Sequence, residues 1–233
     1  MIKGSGLGPA SPSVATSFPL STAIGGTSIR ITIGGRPVDA IMYYALEGQA
    51  AAILPSPTPI GIGTIVLTYG GQTSQPFSIT VVDRNFAIFT TDSSGAGLAI
   101  ATANSGFVSP TAVAHTGDVI ALWGTGLGAV AGDETRPADQ SDLTIPNLEV
   151  WVGGKKSEVQ FRGRSSCCTS VDTVFVTIPA GVPSCITPVT VRDWQSCEQH
   201  CNVASCGLRH CLQASGRQRP RDQPATLGRQ FHF

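Results

Sequence analysis

The chain has 233 residues, 13% of them charged, and its 15 Lys and Arg balance its 15 Asp and Glu. Soluble domains usually carry about 25% charged residues, and an even balance leaves no basic field to attract nucleic acid or an anionic membrane surface. No apolar stretch reaches the roughly 18 residues that a spanning helix needs, so insertion into a membrane is not expected. With 27 Gly and 16 Pro, the composition favours short strands and tight turns over long amphipathic helices. The opening MIKGSGLGPASP lacks the apolar region of a signal peptide.

In chain order, the first patterned segment is SIRITI (28–33). Ile29, Ile31 and Ile33 share one face by period-two alternation, and Gly34-Gly35 supplies the turn. Expected strands follow at VDAIMYY (38–44), QAAAIL (49–54), GTIVLTYG (63–70) and FSITVV (77–82), separated by PSPTPIGI and GQTSQP. Strand and turn alternating at about ten-residue spacing is the pattern of a β-sandwich. FAIFTTDSSGAGLAIATANSGFVSP (86–110) reads as a short hairpin and a polar turn, inside a connector over 84–112. A second strand series comprises DVIALWG (118–124), LEVWVGG (148–154), SEVQFRG (157–163), VDTVFVTIP (171–179) and ITPVTVR (186–192).

The two series echo each other. GSGLGPA (4–10) returns as GTGLGAV (124–130), ITIGG (31–35) as VWVGG (150–154), and ILP (53–55) as TIP (177–179). Repetition at domain length means tandem domains rather than a solenoid. The expected fold is therefore all-β, with two tandem immunoglobulin-like β-sandwiches over 1–83 and 113–192, the second with its last strand missing, and a disordered C-terminal tail over 193–233. The first sandwich is expected to be N-terminally truncated, because only Ile2 stands where DVIALW should be.

Gly124-Thr125-Gly126-Leu127-Gly128-Ala129, after an apolar run, has the outline of a G-x-G-x-x-A dinucleotide loop. Such a loop needs a following helix whose N-terminus meets the pyrophosphate. Here AVAGDETRPADQSDLTIP follows, and PASPSVATSFPL follows the first glycine loop, both without helical period. Gly6 and Gly126 are read as turn residues of positive φ, and neither a nucleotide nor any other cofactor is expected. His115 precedes Thr116-Gly117-Asp118 and reads as a solvated loop residue. Asp118, Asp133, Glu134, Asp139 and Asp142 lack the D-x-D-x-D-G spacing of a calcium loop. With no nucleophile elbow, H-E-x-x-H or P-loop, no catalytic residue is assigned and the chain is not read as an enzyme.

The seven cysteines are all late: Cys167, Cys168, Cys185, Cys197, Cys201, Cys206 and Cys211. The last four, with His200 and His210, are an adequate zinc donor set, but C-x3-C-x4-C-x4-C lacks the C-x2-C pair of common structural sites. The genetic code offers another explanation. Where the second series should continue as LTYGGQTSQPFSITV does, it turns after Arg192 into DWQSCEQHCNV. Deleting one nucleotide after the Arg192 codon permits Thr-Gly-Asn-Arg-Val-Ser-Asn-Thr-Val-Thr-Leu. That reading restores a glycine at the place of Gly70, a serine at that of Ser74, and an alternating end at that of Phe77-Ser78-Ile79. Residues 193–233 are accordingly read as out of frame, and no metal site is assigned.

GSGLGPA, ITIGGRPV, GDVIALWGTGLGAV, VGGKKSEVQFRGRSSCC, VDTVFVTIPAGVPSC and PVTV together resemble an uncharacterised family of C-terminal β-sandwich domains. These domains end large secreted proteins of soil bacteria and are akin to the IPT/TIG immunoglobulin-like group. The resemblance spans residues 3–192 and implies export, a β-sandwich and no assigned activity. It implies a structural or interaction role (spacer, adhesion or anchoring) in a secreted or cell-surface protein, with a protein or polysaccharide partner. Export agrees with disulfides, which persist in oxidising compartments. Adjacent cysteines rarely bond each other because the geometry is strained, so Cys185 is expected to pair with Cys167 or Cys168, the choice staying open. The competing reading is a carbohydrate-binding module, for which Tyr43, Tyr44, Trp123 and Trp151 are the candidate planar aromatics. Trp123 and Trp151 stand in apolar strands and are expected in the core.

Overall fold

The computed structural model describes residues 1–104, 106–183 and 186–193, and the backbone of 225–227. Among the described residues there is no helix. The first block holds β1 (Ile2–Lys3), β2 (Ser13–Val14), β3 (Ala23–Ile24), β4 (Thr27–Ile33), β5 (Arg36–Asp39), β6 (Ile41–Leu46), β7 (Gln49–Ile53), β8 (Gly61–Tyr69), β9 (Gln72–Thr73) and β10 (Phe77–Val81). One sheet runs β1-β7-β6-β2; the other runs β10-β8-β4-β3, with β5 also on β4 and β9 also on β8. All the pairings among these ten strands are antiparallel.

The alternation in β4 does what period two dictates. Ile29, Ile31 and Ile33 point inward and meet Ile65, Ile79, Met42, Ala45 and Ala50 in a single core drawn from both sheets. Burying such side chains contributes about 1.5–3 kcal/mol each for the larger ones. The expected single strand 38–44 divides at the buried Ala40 into β5, which pairs β4, and β6, which pairs β7. Gly34 and Gly35, at φ 55° and 77°, form the two-residue turn between β4 and β5, a geometry that needs positive φ at both positions. The chain then crosses from one sheet to the other, as strands of packed sheets do at corners.

The second block holds β11 (Ala87–Ile88), β12 (Ala101–Ala103), β13 (Gly106–Phe107), β14 (Val119–Thr125), β15 (Ser141–Asp142), β16 (Leu148–Val152), β17 (Lys155–Ser157), β18 (Val159–Arg164), β19 (Asp172–Thr177) and β20 (Val189–Asp193). Its sheets run β13-β12-β14-β19-β18-β15, with β11 also on β14, and β17-β16-β20. Ile120, Leu122, Val174 and Val176 from the first meet Leu148, Val150 and Val152 from the second in one core. The expected strand 157–163 also divides, between β17 on β16 and β18 on β19. The stretch 84–112, expected as a connector, supplies β11 to β13 and extends the sheet along β14.

Hydrogen bonds among the described residues tie the blocks together. Leu20 N donates to Thr135 O at 2.7 Å, Ser56 N to Glu134 Oε2 at 2.6 Å, and Val130 N to Ser56 Oγ at 2.9 Å. A last strand, β21 (Ala225–Leu227), pairs in parallel with β10. The disordered tail expected over 193–233 falls, apart from Asp193 and the backbone of β21, outside the described residues. So does the donor set Cys197, His200, Cys201, Cys206, His210 and Cys211. Asp193 itself ends β20 and meets Arg84 Nε at 2.8 Å.

Candidate functional site

The most concentrated chemistry lies where the loop after β14 meets β19. Arg164 and Asp172 are opposite one another on β18 and β19, and their side chains are only 5% and 0% exposed. Arg164 Nε stands 3.1 Å from Asp172 Oδ1, yet neither atom makes a directed hydrogen bond, so the pair is a charge contact. The other carboxylate oxygen, Oδ2, accepts from the backbone N–H of Gly126 at 2.8 Å and of Leu127 at 2.9 Å. Burial pushes the Asp172 carboxyl up to about 6, against the opposing pull of Arg164 and the two amides. A carboxylate shifted by burial and a charge partner is a functional-site candidate. Here its contacts are to Arg164 and to two backbone amides of the loop after β14, so the group fastens that loop. Beside it, a cavity of about 160 Å³ is lined by Asp133, Glu134, Arg136, Asp139, Arg164 and Ser170 among others.

The glycine loop itself is fully buried from Gly124 to Gly128. A Cβ added at Gly124 would run into the carbonyl oxygen of Ala87, and one at Gly126 into that of Asn85. Gly126 has φ 100°, outside the range that side chains favour. The glycines therefore let the segment 84–88 lie directly on the loop. Gly6, at φ 67°, shares the positive φ expected of a turn.

Other candidates are dispersed. His115 is exposed in its turn, with its N–H donating to Asp118 Oδ2 at 2.8 Å. Tyr43 and Tyr44 are half-buried, and burial pushes the Tyr44 hydroxyl up to about 12 as it points toward Met1 Sδ at 3.8 Å. The tryptophans depart from expectation. In β14 the inward residues are Ile120 and Leu122, so Trp123 lies half-buried on the opposite face and donates from Nε1 to Thr102 Oγ1 at 2.9 Å. In β16 the inward residues are Leu148, Val150 and Val152, so Trp151 lies beside Glu149 on the outer face, with the Arg192 guanidinium 5.3 Å from its ring centre. Strand parity carried this signal; the apolar surroundings hid it. On the outer face of the β14 sheet, Phe161 and Phe175 also stack with centroids 5.1 Å apart.

The sulfurs of Cys167 and Cys168 stand 2.12 Å apart, a bonded distance, in an exposed loop. The two adjacent cysteines are thus within bonding reach of each other, in a loop closed by Ser165 N donating to Val171 O and Val171 N to Cys168 O. Cys185, the expected partner, lies outside the described residues. Among the described residues no group of three or more His, Cys, Asp or Glu side chains is placed to hold a metal. Compared with known proteins, the chain matches no family model, no curated sequence and no solved structure.

Proposed function

We propose that the chain is a pair of immunoglobulin-like β-sandwiches in tandem, serving as a non-catalytic spacer, adhesion or anchoring module of a secreted or cell-surface bacterial protein. The observation that carries this reading is the matching strand order of the two blocks. In the first, β6 and β7 are neighbours in one sheet while β4 pairs both β5 and β8 in the other; in the second, β18 and β19 are neighbours while β16 pairs both β17 and β20. Both blocks use a two-glycine turn followed by a change of sheet, Gly34-Gly35 and Gly153-Gly154. Each encloses its own core. A non-catalytic role is supported by the use of the most buried ion pair to hold a loop. The exposed Cys167–Cys168 bond suits an oxidising compartment, and the motifs over 3–192 resemble exported β-sandwich domains.

Saturable retention of the labelled chain on a bacterial surface or an insoluble polysaccharide, with no turnover, is the expected result. Turnover of chromogenic ester, glycoside or phosphate substrates, lost in Asp172→Asn, would contradict it. The second reading, a carbohydrate-binding module, is favoured by the outward placement of Trp123 and Trp151, since planar aromatics on a sheet face offer stacking surface. Retention on polysaccharide gel that either Trp123→Ala or Trp151→Ala abolishes, and Tyr43→Ala and Tyr44→Ala leave intact, would select this reading, and the sensitive tryptophan would mark which of the two outer faces binds.

A further inference from the structure

The cavity beside the loop after β14 has two unlike walls. Its inner wall includes Arg164, Thr169 and Ser170, exposed to only 4%, 9% and 1%. Its mouth carries the exposed Asp133, Arg136 and Asp139 and the half-buried Glu134. Among the described residues, Arg164 Nη2, Thr169 Oγ1 and Ser170 Oγ have no hydrogen-bond partner. Buried polar atoms left so cost about 1–3 kcal/mol each, and folded chains carry few of them. Three belong to this one wall. Ser170 also stands at φ 64°, a left-handed conformation that costs a non-glycine residue about 1–3 kcal/mol.

The two walls set the chemistry of a ligand. Arg164 already has its counter-charge in Asp172, 3.1 Å away, so the inner wall lacks acceptor oxygens rather than negative charge. An anionic group placed there would stand beside the buried Asp172, and like charges disfavour one another. At the mouth, the Arg136 guanidinium is taken by Asp133 at 3.1 Å, and Glu134 and Asp139 add carboxylates that accept hydrogen bonds and donate none. The ligand must therefore bring acceptors inward, donors outward and no negative charge. Hydroxyl groups do both, since each donates and accepts. The volume of about 160 Å³ is many times the roughly 10–15 Å³ that one water needs. It is also below the roughly 300 Å³ at which drug-sized sites begin. One ring fits such a space and a chain of rings does not.

We propose that this cavity binds a single neutral sugar ring. Ring oxygens accept from Arg164 Nη2 and exchange hydrogen bonds with the Thr169 and Ser170 hydroxyls, while outer hydroxyls donate to Glu134 and Asp139. Without a partner among the described residues, the two inner hydroxyls are free to rotate onto the ring. The inference goes beyond the adhesion reading and uses neither the tandem arrangement nor the tryptophan faces.

The test is an NMR titration of the isotope-labelled whole chain with glucose, galactose, mannose and N-acetylglucosamine in turn, at millimolar concentrations. Expected with at least one of them are saturable shifts at residues 130–139 and 164–170. Thr169→Val keeps the side-chain shape and removes a hydroxyl that the fold does not use, so the strand signals should stay in place while the sugar binds about tenfold more weakly. Asp139→Ala, at the exposed mouth, should weaken binding severalfold. Absence of saturable shifts with all four sugars would overturn the proposal, as would unchanged affinity in Thr169→Val. Equal shifts with glycerol would mean nonspecific association, and tighter saturation by sulfate or glycine would mean a charged ligand; either overturns it. Cavity shifts that persist in Trp123→Ala and Trp151→Ala support it, whereas their loss would move the sugar to the outer faces and overturn it.

Discussion

In the first glycine loop the Leu7 amide donates to the Glu47 carbonyl at 2.9 Å. In the second, the Gly126 and Leu127 amides both donate to the Asp172 carboxylate. The backbone pattern is shared and the fastening is not. Burial explains the difference. The first loop is exposed, so amides that its sheet does not use meet water. The second is covered by segment 84–89, and buried amides need an internal acceptor or cost about 1–3 kcal/mol each. A carboxylate oxygen accepts two at once, but a buried charge in turn requires a partner, which is Arg164. One covered loop thus accounts for a buried acid, a buried guanidinium and three glycines.

The comparison breaks most severely at Asp172. Asp172→Ala removes both amide acceptors and leaves Arg164 buried without its counter-charge, which should cost about 3–5 kcal/mol in urea unfolding. Gly126→Val comes next. Its Cβ meets the Asn85 carbonyl and its φ is unfavourable, for a loss of about 3 kcal/mol.

The third effect is a pH dependence. The Asp172 carboxyl titrates near 6 in the folded chain against 3.8 as its ordinary value, so the folded state binds the proton more tightly. Its contribution is fully present below about pH 4 and is lost as pH rises through about 6, on the order of 1–3 kcal/mol. The stability difference between the native chain and Asp172→Asn, followed across that window, isolates this group from Asp39, Asp92 and Asp133. Those three are held below the usual carboxylate range mainly by side-chain or backbone hydrogen bonds and act in the opposite sense. The smallest effect belongs to Gly6→Val. Facing open space, it should cost only the left-handed backbone penalty, about 1–2 kcal/mol.

Much of the fold was legible because alternation and paired glycines are local signals. Ile29, Ile31 and Ile33 announced the inward face of β4, and Gly34-Gly35 its turn. The changes of sheet at Ala40 and between β17 and β18 were not legible, because the apolar pattern runs on while only the hydrogen-bond partners change. Asp172, inside the expected strand 171–179, carries no signal of its own in the sequence, since nothing near it reveals the distant Gly126 and Leu127 amides from which it accepts. Trp123 and Trp151 were misplaced because their hydrophobicity outweighed their parity, although Glu149 marked the outer face two residues before Trp151. The glycine loop was rightly seen as a turn, but its close contact with Asn85 and Ala87 is a tertiary property.

Native-state hydrogen exchange at the four loop amides most directly tests whether covering, rather than sequence pattern, sets the two loops apart. Gly126 and Leu127 should exchange only through openings as costly as those of the β14 and β19 core, Leu7 with intermediate protection, and Gly6 at nearly the rate of an open chain. Equal exchange at Gly6 and Gly126, whether both fast or both protected, would contradict it.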